Sequence, residues 1–220
     1  MNLLNYKAVF FDLDGTLIDS AKDLHFAINQ MLNQLGKQET SLENIKNWIG
    51  NGTLKLVERA LMAVDDSNEI DEITLQKAFK LFSNYYRECV GEYSTLFDSV
   101  KKILVELLKN NIKIACITNK PLEFTEFLLQ QNMISQFFSV ICAGDNVKLK
   151  KPDPWPLHHA AQTLNVDIKN CVMIGDSRHD IKAANNAGCD VIAVSYGYNH
   201  GQDISHFNPD HIIDSLSQLL

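Results

Sequence analysis

The sequence predicts an α/β fold: a parallel β-sheet wrapped by helices on both faces and interrupted once by an inserted helical block. Three observations carry this. From Ser99 onward, short apolar runs alternate with segments of helical period, the pattern of strands joined by crossover helices. One more run of the same strand-like kind, Ala8-Val9-Phe10-Phe11, stands alone near the start. Between them, from Thr16 to about Glu92, the periodicity is helical and no convincing strand occurs. If the first strand joins the later sheet, that stretch is an insertion. Residues 1–15 and 94–220 then form the expected core, and 16–93 the expected helical cap. At 220 residues and 45% hydrophobic content, the chain can bury a full core.

Each element follows from its own pattern. Ala8 to Phe11 reads as a buried strand, and Gly15 lets the backbone turn sharply as it ends. In the insertion, Leu24, Ile28, Met31, Leu32 and Leu35 recur at helical spacing, with Gly36 where a C-terminal cap belongs. A second helix is expected from about Thr53 to Met62, with Leu54, Val57 and Leu61 on one face. A third runs from about Thr74 to Cys89. Beyond the insertion the expected helices are Val100 to Leu108, Leu122 to Gln131, Trp155 to Leu164 and Ile181 to Ala187. The strands between them are Lys113 to Ile117, Ser139 to Cys142, Cys171 to Ile174 and Val191 to Val194, with Ile212-Ile213 closing the series. Asp153 is the expected N-cap of one helix, with Pro154 at its first position. The result is a doubly wound, Rossmann-like core.

Composition narrows the function. With 20 basic against 27 acidic residues the formal charge is −7, which disfavours a nucleic-acid partner held by bulk electrostatics, and no dense basic stripe occurs. No stretch approaches the length needed to span a bilayer, and the start is too short and polar for a signal peptide. Five cysteines, Cys89, Cys116, Cys142, Cys171 and Cys189, contain no CxxC pair. They read as buried thiols in a reducing, cytoplasmic compartment.

The chemistry gathers at strand ends, where open α/β sheets bind ligands. Asp12-Leu13-Asp14-Gly15 follows the first strand directly. Two residues apart in extended chain, Asp12 and Asp14 project to the same side. At ~4 Å and an effective dielectric near 20 they would repel by roughly 4 kcal/mol, so a cation between them or a proton on one is expected. Thr118-Asn119 ends another strand, a hydroxyl and an amide suited either to phosphoryl oxygens or to capping the next helix. Gly175-Asp176 ends a third, and Asp176 emerges level with the first pair if the strands are neighbours. Three such carboxylates make a hard oxygen site suited to Mg²⁺, with Asp180 either supporting it or favouring the following helix start. Lys151, ahead of a rigid Pro-Asp-Pro helix entry, can pair with a carboxylate and a phosphate, or simply lie in solvent. Gly50-Asn51-Gly52 is the one ligand-like turn of the insertion, where backbone amides can approach a substrate or merely join two helices.

These motifs together resemble the haloacid dehalogenase superfamily of phosphohydrolases over essentially the whole chain. Asp12-Leu13-Asp14-Gly15-Thr16 resembles its first motif, Thr118 its second, Lys151 its third, and Gly175-Asp176 with Asp180 its fourth, in the family's order. Trp48-Ile49-Gly50-Asn51-Gly52, Lys151-Pro152-Asp153-Pro154 and Tyr196-Gly197-Tyr198-Asn199 are similar to the branch that hydrolyses phosphoglycolate. The resemblance implies a Mg²⁺-dependent phosphatase of a small phosphorylated metabolite. Asp12 would be its nucleophile and Asp14 its acid and base. Thr118, Asn119 and Lys151 would sit on the phosphoryl group, Asp12, Asp14 and Asp176 on the metal, and Gly50, Asn51 and Gly52 on the substrate. A phosphatase or mutase for another metabolite such as a sugar phosphate, or a silent binding protein on this fold, are the alternatives. One departure stands out. Where the family returns from cap to core through a Pro-x-Pro-Gly-Val-like turn, this chain reads Leu96-Phe97-Asp98-Ser99-Val100.

Overall fold

The computed structural model describes residues 2–66 and 69–220. Its elements run β1 (Ala8–Phe11), β2 (Ile18–Asp19), α1 (Ala21–Gln34), α2 (Leu42–Trp48), α3 (Thr53–Asp65), α4 (Glu72–Cys89), β3 (Thr95–Leu96) and α5 (Val100–Lys109). They continue as β4 (Lys113–Ile117), α6 (Leu122–Gln131), β5 (Val140–Cys142), α7 (Trp155–Thr163), β6 (Cys171–Gly175), α8 (Arg178–Ala187), β7 (Asp190–Val194) and β8 (His211–Ile213).

Six strands form one sheet in the order β5-β4-β1-β6-β7-β8, and each neighbouring pair is parallel. The fold is α/β, as the alternation predicts. β1 lies inside the sheet with all four residues buried, which is why it is an unbroken apolar run rather than an alternating one. Phe11 is level with Cys116 of β4 and with Ile174 of β6. The carboxyl ends of three adjacent strands therefore open side by side, and these are the ends that carry Asp12, Thr118 and Asp176.

Side chains sort to the two faces with the period of a strand. Val9, Phe11, Ile114, Cys116, Val172 and Ile174 share one apolar cluster, whereas Ala8, Phe10, Ala115, Ile117, Cys171 and Met173 share the other with α7 and α8. The first cluster continues through Leu13 and Leu17 into the helical block, reaching Leu24, Ile28, Val57 and Tyr86. All five cysteines are buried and unpaired. No helix among the described residues is long and apolar enough to cross a membrane.

Four helices, α1 to α4, lie between β2 and β3. These two-residue strands pair antiparallel, Ile18 with Leu96 and Asp19 with Thr95, so the chain enters and leaves the block side by side. Two residues per strand are too few for any periodicity, and the sequence reading finds neither. It also passes over α2, whose seven residues, about two turns, bury only Ile45. The exit is tied to α1 by Asp23, a fully buried carboxylate that accepts from Gly91 N–H (2.7 Å), Tyr93 N–H (2.8 Å) and the Ser94 hydroxyl.

Two local expectations shift. α3 turns Thr53, Leu56, Val57, Ala60 and Leu61 inward, and leaves Leu54 41% exposed. The buried stripe is thus rotated from Leu54-Val57-Leu61, and Thr53 points in where Leu54 is expected. At α7 the cap position falls on Pro154, with Trp155 first in the helix, and Asp153 accepts the Trp155 N–H at 2.8 Å. The carboxylate caps as expected, one residue out of step.

Candidate active site

The backbone at Asp12 is still strand-like, its N–H donating to Ile174 O at 2.9 Å. Its Oδ1 receives the Leu13 N–H at 2.7 Å and the Lys151 ammonium at 2.9 Å, while Oδ2 accepts from no described residue. Lys151 is buried and uses its three hydrogens on Asp12, Asp180 Oδ1 (2.6 Å) and Ile117 O (2.6 Å). Burial alone would pull its pKa down, but the two flanking carboxylates reverse this and raise it, so it remains an ammonium.

Asp180 spends both oxygens. Oδ1 takes Lys151, and Oδ2 takes the Ser177 N–H (3.0 Å) and hydroxyl (2.7 Å), closing a capping box at the start of α8. It stands behind Asp12 and Asp176 rather than presenting a free oxygen. Asp176 accepts the Thr16 hydroxyl at 2.8 Å and the Tyr198 N–H at 2.6 Å. The β1 turn packs so tightly on it that a Cβ on Gly15, at φ +83°, would lie 2.3 Å from Asp176 Oδ2. Only glycine fits there.

Asp12, Asp176 and Asp180 offer oxygens all within 4.8 Å of one another. Burial, then the Asp180 charge, raises the pKa of both Asp12 and Asp176. Three carboxylates face one ammonium, and Asp12 keeps a free oxygen. That donor set and charge imbalance fit a hard divalent cation. Asp14 is paired elsewhere: Ser20 Oγ donates to it at 2.5 Å, and the Lys120 ammonium lies 3.0 and 3.1 Å from its two oxygens.

Asp12 and Asp14 open onto one small cavity, with Thr118, Asn119 and Lys120 on the sheet side and Leu24, Ile49, Gly50, Gly52, Thr53 and Leu56 on the helical side. Thr118 donates its N–H to Cys142 O at 2.8 Å, and its hydroxyl oxygen accepts the Lys120 N–H at 3.2 Å, leaving the hydroxyl hydrogen for a ligand. The Asn119 side-chain amide bridges Gly50 O (2.9 Å) and Lys151 O (3.0 Å), so only its backbone N–H faces no described acceptor.

Asn51 is the sequence candidate that lies apart. It does not line this cavity. Arg59 donates to its Oδ1 at 2.7 Å, which turns its Nδ2 onto His179 Nε2 at 2.8 Å. Gly50 and Gly52 do line it. Conversely, sequence reasoning passes over Ser20, Thr53 and Lys120, and gives Thr16 and Tyr198 no role beyond their place in a motif. Lys120 carries a usable signal, a basic residue directly after a polar strand end in an acid-rich site. The contacts of Tyr198 could not be read, because its loop has no period and its partners Asp176 and Asp19 are remote in sequence.

A parallel sheet with clustered carboxylates at its strand ends, roofed by a helical insertion, defines a protein of the doubly wound α/β class with its site at the strand ends. A model of the haloacid dehalogenase-like hydrolases matches residues 9–194, and the chain belongs to that family. Proteins named phosphoglycolate phosphatase are similar along its length. The one from Colwellia psychrerythraea is 41% identical over 100% of this chain and 98% of its own. That from Photobacterium profundum is 42% identical over 97% and 94%. A crystal structure of a predicted phosphoglycolate phosphatase from Haemophilus somnus superposes with a TM-score of 0.93 at 32% identity, covering 98% of this chain and 96% of that one.

Proposed function

We propose that the protein is a phosphatase that hydrolyses a small phosphate monoester, foremost 2-phosphoglycolate, through a phosphorylated Asp12. The observation that carries this is Asp12 itself: a buried carboxylate with one oxygen fixed by Lys151 and the other free, at the cavity that Asp14 shares. The names of the full-length relatives supply the substrate.

Asp12 Oδ2 attacks phosphorus in line, and the bond to the leaving alkoxide breaks as Asp14 gives that oxygen a proton. Asp14 then takes a proton from water as the water attacks the acyl phosphate. Inorganic phosphate leaves and the Asp12 carboxylate is restored. The Thr118 hydroxyl and the Asn119 N–H hold phosphoryl oxygens, and Lys151 keeps Asp12 oriented and offsets its charge. Mg²⁺, held by the Asp12 and Asp176 side chains and the Asp14 carbonyl, supplies neutralisation of phosphoryl charge when bound. Asp180 supports that set through Lys151 and Ser177. Residues 16–93 act as a cap that closes over the site and excludes bulk water. Five buried thiols suit a reducing cytoplasm.

Asp12→Asn tests the proposal, since the amide keeps the shape and loses the nucleophile. Turnover of phosphoglycolate and of p-nitrophenyl phosphate should disappear while the circular-dichroism spectrum is retained. Near-normal turnover would exclude this mechanism.

A further inference from the structure

Two polar groups in the cavity are left unused by the phosphoryl chemistry, Lys120 and Thr53. We propose that Lys120, the Thr53 hydroxyl and the first-turn amides of α3 form a subsite for a carboxylate carried by the substrate, and that filling it releases Asp14. The inference rests on the phosphatase reading and names the substrate class within it: a monoester with a carboxylate a carbon or two from the phosphoryl group.

Lys120 is only 3% exposed. A buried ammonium has to be paired, and its carboxylate contacts among the described residues all go to Asp14, with the Tyr86 ring 4.9 Å away. Thr53 is 7% exposed, and its hydroxyl has no hydrogen-bond partner among the described residues although it lines the cavity. It opens α3, a helix of 13 residues whose N-cap is Gly52, with no side chain to offer. The N–H groups of Thr53, Leu54 and Lys55 accordingly meet no described acceptor. The positive end of a helix, an unpaired hydroxyl and a buried ammonium border one space. Leu24, Ile49 and Leu56 wall it with apolar surface that strengthens any charge held there.

The same geometry couples this subsite to Asp14. Asp14 is held from two sides, by Ser20 and by Lys120. A substrate carboxylate draws hydrogen bonds of the ammonium to itself. Asp14 then keeps only Ser20 and can rotate toward the leaving oxygen. A monoester lacking the carboxylate leaves Asp14 clamped.

The test compares kcat/KM for 2-phosphoglycolate with that for 2-hydroxyethyl phosphate, which has an alcohol in place of the carboxylate, in wild type, Thr53→Val, Lys120→Met and Lys120→Arg. Wild type should favour phosphoglycolate by roughly 10- to 100-fold, the range of a hydrogen-bonded charge. Thr53→Val should shrink that ratio several-fold, Lys120→Met should bring it near one, and Lys120→Arg should restore part of it. If Lys120→Met does not fold, Thr53→Val still decides through the same ratio. p-Nitrophenyl phosphate monitors the chemistry separately. Wild type inactive on all three esters overturns the phosphatase reading and the subsite with it. Wild type active but indifferent to the carboxylate, or variants that slow both substrates equally, overturns the subsite alone.

Discussion

Asp176 and Asp180 lie four residues apart in the same buried cluster, and the structure gives them different surroundings. Asp176 accepts two hydrogen bonds and borders Asp12, whereas Asp180 is the counter-ion of Lys151 and the cap of α8. Asp176→Ala should abolish the rise in melting temperature that Mg²⁺ gives the wild type, with little loss of stability when EDTA is present. Asp180→Ala should lower stability by about 3 kcal/mol without any metal, because it strips a partner from a buried ion pair. Thermal melts in EDTA and in Mg²⁺ separate the two, and the reverse pattern would exchange their roles. The residues at strand ends were legible because position and chemistry coincide there: Asp12, Asp14, Thr118 and Asp176 each follow a recognisable apolar run, and Lys151 stands ahead of a recognisable helix entry. Asn51 was read as ligand-like because Gly-Asn-Gly is a local signal, and the Arg59 and His179 that occupy it are not local. Lys120 has a local signal, its place directly after a polar strand end, but its pairing with Asp14, 106 positions away, has none.

Among the elements, the return from the helical block to the sheet shows the most individual chemistry. Ser99, which stands before Val100 where the family's turn has glycine, adopts φ +67° at the N-cap of α5. The left-handed region disfavours any side chain by roughly 1–2 kcal/mol, part of which glycine gives back as extra freedom in the unfolded chain. Ser99→Gly should therefore stabilise the protein by about 0.5–1 kcal/mol. A rise of about 1–4 °C in melting temperature would register it, and an unchanged or lowered value would show that Ser99 makes a compensating contact. Long elements were readable from sequence: α4, α6 and the strands of the large sheet fall within a residue or two of their expected bounds. β2 and β3 were not, because a two-residue strand has no period and exists only through its partner.

At the scale of the whole molecule, helical block and sheet meet through polar contacts at several points besides their shared apolar core. Asn119 holds Gly50 O, His200 Nδ1 lies 2.8 Å from Asn47 O, and Asn51 donates to His179 Nε2. The last needs a neutral imidazole. Burial pushes the His179 pKa down to about 4 from 6.5. Between those values the unfolded chain takes up a proton that the folded chain refuses, so this group's contribution to stability falls as pH drops through that window. His179→Gln removes the titration and keeps an acceptor. The difference in urea midpoint between wild type and variant should narrow from pH 7 to pH 5, and a constant gap would mean that His179 titrates normally in the fold.

The antiparallel pairing of Ile18 with Leu96 and Asp19 with Thr95 has an architectural consequence. To the sheet, everything between these two strands is one long hairpin loop, its ends already pinned together. The entropy of closing such a loop grows only with the logarithm of its length, about 0.6 kcal/mol for each doubling. The ribbon is therefore a socket: a shorter, longer or unrelated roof can be plugged in at the same two strands without rewriting the floor. Selection can change what enters the cavity while leaving alone the strand ends that cut it.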